Sequence, residues 1–83
     1  MITFFEFKNN INTNELDQIK NAIKKDGFVT IKLLTDDNKI QIKQFEKIKK
    51  HLKYKPDENL KFYWNNSNNF VIVDLDKIKI FEI

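Results

Sequence analysis

The chain has 83 residues, 41% of them hydrophobic and 33% charged, which suits one soluble domain spanning 1–83 and leaves no room for a second core. It contains no cysteine, and this excludes thiolate zinc sites, thiol nucleophiles and iron–sulfur clusters. Its 15 lysines outnumber its 12 acids for a net charge of +3, and the absence of arginine disfavours sequence-specific reading of guanine edges.

The first two elements are predicted to be a strand and a helix. Residues 2–8 are aromatic-rich with apolar side chains on both sides, which is typical of a central strand or of one whose second side meets a partner. Asn12, followed three residues later by Glu15, indicates a capping box and predicts a helix over about 13–25. Gly27, the only glycine, is expected to end this helix in a left-handed conformation, and a single glycine cannot build a phosphate-binding loop.

The middle of the chain allows two interpretations after a predicted strand over 28–34. In the first, 35–53 forms a hairpin turn, a third strand through Ile40 and Ile42, and a short helix. In the second, one helix begins near Asp36. We prefer the hairpin, because β-branched side chains at 40 and 42 alternate with polar ones. The second interpretation would place on the inner side of the helix Ile42, Phe45, Ile48 and Leu52.

The C-terminal part of the chain is predicted to be strands over 60–64, 70–75 and 78–83, with an asparagine-rich turn between the first two. With the hairpin interpretation, the order of elements predicts the α+β class. We expect a single two-layer domain with two helices on one face of a mainly antiparallel sheet. This arrangement is the ferredoxin-like βαββαβ plan with an extra C-terminal strand.

Residue types that carry out catalysis are scarce. The only serine, Ser67, lies in the asparagine-rich turn and the only histidine, His51, lies among lysines, so no acyl-transfer triad is expected. The adjacent acids at 36–37, and the pair Asp74 and Asp76, fall where turns are expected and lack a third metal ligand at a suggestive spacing. We therefore predict no enzymatic activity, no catalytic residue, no cofactor and no metal site.

The positive charge is concentrated in one segment. Residues 39–55 hold seven lysines and one glutamate, a local charge of +6, whereas the segments before and after carry −1 and −2. On a helix, Lys43, Lys47 and Lys50 share one side, opposite the apolar stripe. Such a ridge can neutralise phosphates or clamp an acidic protein patch, although a solvated helix face in a lysine-rich chain gives the same pattern.

Aromatic side chains are the other candidates for binding. Strand alternation places Phe62 and Trp64 on one side and Tyr63 on the other, which favours core positions for the first two. Tyr63 and Tyr54 are then the exposed rings available for stacking. The predicted partner-binding residues are Lys43, Lys47, Lys50, Lys53, Tyr54 and Tyr63.

These patterns predict a small non-enzymatic binding protein that modulates or inhibits a macromolecular partner, a protein in preference to a nucleic acid. In size and composition the chain is similar to small phage and mobile-element products, including anti-CRISPR inhibitors of host defence nucleases, which suggests inhibition of a nucleic-acid-processing or defence complex. The alternative is direct binding of RNA or single-stranded DNA through the lysine-rich helix. A homodimer formed through exposed strands or an open sheet face is also left open.

Neither a membrane span nor a targeting signal is indicated. No apolar run approaches the roughly 18–20 residues that cross a bilayer, and the segment Met1 to Phe5 lacks the basic start of a secretory signal. Together with the absence of cysteine, these features predict a cytoplasmic protein without a membrane partner.

Overall fold

Four strands and two helices form the part of the chain that the structure, a computed structural model, describes: residues 3–8, 10–52, 60–66 and 68–77. In chain order the elements are β1 (Phe4–Phe7), α1 (Thr13–Asp26), β2 (Phe28–Leu33), α2 (Asn38–Leu52), β3 (Leu60–Asn66) and β4 (Asn69–Asp74). The strands form one sheet in the order β1-β2-β4-β3, with β1 parallel to β2 and the other two pairings antiparallel. The parallel pair is joined by α1, as a crossover connection requires.

Both helices cover the same face of this sheet. The strand register pairs Phe7 with Leu33 and Ile31 with Phe70, so the inward side chains of β1, β2 and β4 lie on one face. Ile19 of α1 is fully buried in the core that these side chains form. α2 contributes Ile48 and Leu52 to the same core, and Ile48 is the one isoleucine of this helix that is buried. The molecule is therefore two layers around one core.

The start and end of α1 are as the sequence predicts. The Asn12 side-chain oxygen accepts a hydrogen bond from the Glu15 amide at 2.8 Å, and the Asn12 amide donates to a Glu15 carboxylate oxygen at 3.0 Å. Gly27 ends the helix with φ 85°, and its N–H donates to the Ile23 carbonyl at 2.8 Å. The predicted capping box and the structural role of the glycine are both confirmed.

The preferred hairpin over residues 35–43 is wrong, because this segment leads into a single helix. Asp37 caps α2: its side-chain oxygen accepts hydrogen bonds from the amides of Lys39, at 2.9 Å, and Ile40, at 3.3 Å. One turn later the buried Gln41 side chain donates to the Thr35 carbonyl at 2.7 Å. These local bonds outweigh the strand preference of the two isoleucines, since a capped helix that reaches the core satisfies its own backbone groups.

The α+β class, with two helices on one face of a four-stranded mixed sheet, is confirmed. The ferredoxin-like order is not confirmed, because residues 38–43 are helical and the described elements run βαβαββ. The expected C-terminal strand over 78–83 lies outside the described residues. That residues 1–83 form one domain stays a prediction.

The other face of the sheet carries no helix among the described elements. Phe4, on β1, is 48% exposed there, and by register its row continues through Thr30 and Val71 to Tyr63 on β3. Among the described strands β1 pairs with β2 alone, so a central position of the first strand is not confirmed. That its second side meets a partner stays a prediction.

Neither α1 nor α2, the helices within the described ranges, is long and apolar enough to cross a membrane.

Candidate functional site

An open groove with a volume of about 920 Å³ lies between α2 and the loop that leads into α1. The loop contributes Asn10, Ile11 and Asn12. The helix contributes four lysines and one acid, namely Lys43, Lys47, Lys49, Lys50 and Glu46. We call this region the lysine groove.

The groove has its shape because a buried glutamine joins its two sides. Gln44 is 1% exposed, and its side-chain oxygen accepts a hydrogen bond from the Ile11 amide at 3.2 Å. Its side-chain nitrogen donates to the Asn10 side chain at 3.0 Å. The loop is thereby held against α2, and the lysines that flank position 44 along the helix point away from the core.

The electrostatic character of the groove is positive. None of its four lysines forms an ion pair with another residue that the structure describes, and Glu46 is the only acid among the lining residues. The groove also borders the N-terminus of α1, where the helix dipole favours negative charge, although the Glu15 carboxylate already occupies the Asn12 amide there. The arrangement suits a ligand that carries several negative charges.

Three of the predicted binding residues come together in the groove: Lys43, Lys47 and Lys50. Lys53 and Tyr54 lie outside the described residues. Tyr63 is not part of this site, because it alternates with the inward residues of β3 and faces the side of the sheet away from α2. The predicted combination of lysines with a stacking Tyr63 is therefore not formed.

A second exposed feature lies on the opposite edge of α2, and the sequence reasoning missed it. Trp64, expected in the core, is 44% exposed on β3, although its ring centroid lies 4.9 Å from that of Phe45 and 4.7 Å from that of Phe70. Ile42, three residues before Phe45 on the same side of α2, is 57% exposed. We call the three side chains Ile42, Phe45 and Trp64 the apolar patch.

One lysine lies between the two features. The Lys49 ammonium nitrogen is 5.9 Å from the centre of the Phe45 ring, within the range of a cation–π contact. Lys49 also lines the lysine groove. Groove and patch are therefore parts of one exposed surface that extends across α2.

Phe62 was predicted to be a core residue together with Trp64. It is partly buried and packs edge-on against Phe45, so the prediction describes Phe62 better than it describes Trp64.

Two of the residues weighed as catalytic candidates, His51 and Asp74, make contacts within the fold. His51 contacts Asp17 at 3.0 Å and joins α2 to α1, and the exposed position of Asp17 makes this a weak contact. The Asp74 side chain accepts a hydrogen bond from the Asp76 amide at 2.9 Å, within a turn. Ser67 lies outside the described residues. The described ranges contain no group of three or more His, Cys, Asp or Glu side chains that could hold a metal ion.

No protein-family model, curated protein or solved structure matches this chain. The case for a function accordingly rests on the surface of α2.

Proposed function

We propose that this protein is a non-enzymatic binding protein that modulates or inhibits a macromolecular partner by docking an acidic protein surface in the lysine groove. The observation that carries the proposal is the groove itself: four lysines and one glutamate surround an open space of about 920 Å³. The charges are held on a helix whose other side is anchored in the core, so they are presented together without a folding step on binding.

The lysines act together rather than as strong single contacts. An exposed ion pair contributes about 0.2–1 kcal/mol, so four of them must cooperate to give measurable affinity. Complementary charge also accelerates association, and its effect falls as salt screens it. The interaction is therefore expected to be fast and sensitive to ionic strength.

The surroundings of the lysines support a protein partner over a nucleic acid. Tyr63, the ring predicted to stack on bases, lies on the other face of the sheet from α2. Exposed aliphatic side chains at Ile40 and Ile42 lie on the same helix as the lysines, and aliphatic contact is typical of protein interfaces. Inhibition of a host nucleic-acid-processing or defence complex is the specific form that size and composition suggest, and it stays a prediction.

The test compares two variants with the same net charge. One carries Lys43→Glu, Lys47→Glu and Lys50→Glu in the groove. The control carries Lys25→Glu, Lys61→Glu and Lys77→Glu at exposed positions outside it. Each reverses three charges and takes the net charge from +3 to −3.

Binding to a dye-labelled polyglutamate peptide, and to single-stranded oligo-dT of equal length, is measured by fluorescence anisotropy at about 50 and about 300 mM salt. We expect wild-type protein to bind polyglutamate at low salt, the groove variant to lose at least about tenfold in affinity, and the control to lose clearly less. No binding by wild-type protein, or an equal loss in both variants, would contradict the proposal. Tighter binding of oligo-dT than of polyglutamate, lost in the groove variant, would establish nucleic-acid binding instead.

A further inference from the structure

The apolar patch is unusual in exposing large side chains next to a concentrated charge. Trp64 and Ile42 are 44% and 57% exposed; Phe45 packs against Trp64 and follows Ile42 by three residues on the same side of α2. One side of the Trp64 ring packs on Phe45 and Phe70, so its position is set by the core while its remaining surface faces solvent. A large ring held in place by its neighbours loses little side-chain entropy on binding, which is why tryptophan is enriched among the residues that dominate interface energies.

Positively charged side chains border the apolar patch on the side that faces the lysine groove. Lys49 approaches the Phe45 ring to 5.9 Å and also lines the groove. Across its full length α2 carries five lysines and one glutamate. A ligand that covers the patch therefore meets positive charge along one border, and a complementary ligand has acidic groups beside its apolar side chains.

We propose that the apolar patch is the anchor site for the same partner, and that this partner presents an acidic protein segment with at least one large apolar side chain. The apolar side chain packs against Trp64 and Ile42, while the neighbouring carboxylates contact Lys49 and the lysines of the groove. This inference rests on the proposed function and specifies the chemistry of its partner. The groove supplies charge and rate of association, and the patch supplies most of the selectivity.

Two features of the patch favour a protein segment over single-stranded nucleic acid. Ile42 is aliphatic and offers no ring on which a base can stack. Phe45 and Phe70 pack against Trp64, so neighbouring rings already cover part of the indole surface. A leucine or phenylalanine side chain can cover the surface that remains exposed on Trp64 and Ile42 by apolar contact.

The test uses two dye-labelled peptides with the same number of glutamates, one of glutamate alone and one with leucine at every third position. Four single variants of the full chain are compared with wild type: Ile42→Ser and Trp64→Ala in the patch, and Leu34→Ser and Phe4→Ala as controls. The controls match the patch residues in exposure, 46% for Leu34 and 48% for Phe4, and lie toward the β1 side of the sheet. Circular dichroism verifies that each variant is folded.

We expect wild-type protein to bind the leucine-containing peptide about tenfold more tightly than polyglutamate. The two patch variants should lose this preference while keeping their affinity for polyglutamate, and the two controls should keep both. Because Ile42 is more than half exposed, Ile42→Ser tests the patch even if Trp64→Ala fails to fold.

The inference is overturned if wild-type protein shows no preference between the peptides, or if Ile42→Ser leaves the preference unchanged. In both cases retained polyglutamate binding would leave the proposed function standing, so the two failures are distinguishable. Tighter binding of oligo-dT than of either peptide, weakened by Trp64→Ala and not by Ile42→Ser, would identify a base-stacking site and also overturn it.

Discussion

The two helices cover the same sheet, yet their sequences differ in a way that separates folding from binding. In α1, three lysines balance three acids, and a reciprocal capping box begins the helix. In α2, five lysines face one glutamate, the first turn contains no acid, and two of the four buried residues are glutamines. A helix needs neither excess positive charge nor buried amides to cover a sheet. The buried glutamines of α2 are therefore explained by the loop that Gln44 holds, and its excess lysines by the exposed surface that they form.

The largest expected effect tests whether both helices, despite their different charges, are packed equally into the core. Ile19→Ala in α1 and Ile48→Ala in α2 each remove a fully buried side chain, and each should lower the free energy of unfolding by about 2–5 kcal/mol. A domain of this size is stabilised by about 4–12 kcal/mol in total, so either change is severe. Urea unfolding followed by circular dichroism measures the effect.

The control for this pair is Ile42→Ala, on α2 but largely exposed, which should change stability by no more than about 0.5 kcal/mol. If Ile48→Ala proved as mild as the control, α2 would not be packed as the structure shows. The distinction between a buried inner side and an exposed outer side of α2 would then be wrong.

The buried amide of α2 is the next point of difference. Gln44→Leu keeps the volume of the side chain but leaves the Ile11 amide without its hydrogen-bond acceptor in a buried position, and we expect a loss of about 1–3 kcal/mol. The Ile11 amide should also exchange its hydrogen faster in NMR. The matched change in α1, Gln18→Leu at an exposed position, should have little effect. Equal stability of the two variants would show that the groove does not depend on this bridge.

The smallest expected effect concerns the two helix caps. Asn12→Ala removes one side of the capping box of α1, and Asp37→Ala removes the acceptor for two amides of α2. Each should cost about 1 kcal/mol in thermal or urea unfolding. Asn14→Ala, an exposed change inside the first turn of α1, serves as the control. A cap variant indistinguishable from this control would mean that packing alone fixes the start of that helix.

Local signals predicted α1 from the sequence. The cap of α2 at Asp37 is equally local, but the residues on the inner side of α2 are only in part those that hydrophobic periodicity selects. Asn12, Glu15 and Gly27 act within a few residues of each other, so their spacing alone is informative. The inner side of α2 includes Gln41 and Gln44, polar residues whose bonding partners lie in the preceding loop and more than thirty residues away along the chain. A search for hydrophobic periodicity does not count them, and it places Ile42 inward when the residue is exposed.

Only part of the candidate site was predicted from the sequence. Lys43, Lys47 and Lys50 fall on one side of any helix through that segment, so their clustering followed from periodicity. The exposure of Trp64 did not, because it depends on β3 being the last strand in the order of the described strands, and strand order is a property of the whole fold. The only local indication was the position of Trp64 next to the asparagine-rich turn.

Trp64 is the only tryptophan in the chain, and this gives the protein a built-in optical reporter. Excitation that selects the indole over the tyrosine rings would read out the environment of one place on the surface, beside Phe45 and Phe70. A ligand that removes water from the indole shifts its emission to shorter wavelength, and one that binds elsewhere leaves the spectrum unchanged. The unlabelled protein can therefore be screened against candidate ligands by fluorescence, and a change in emission shows that the ligand affects the surroundings of Trp64.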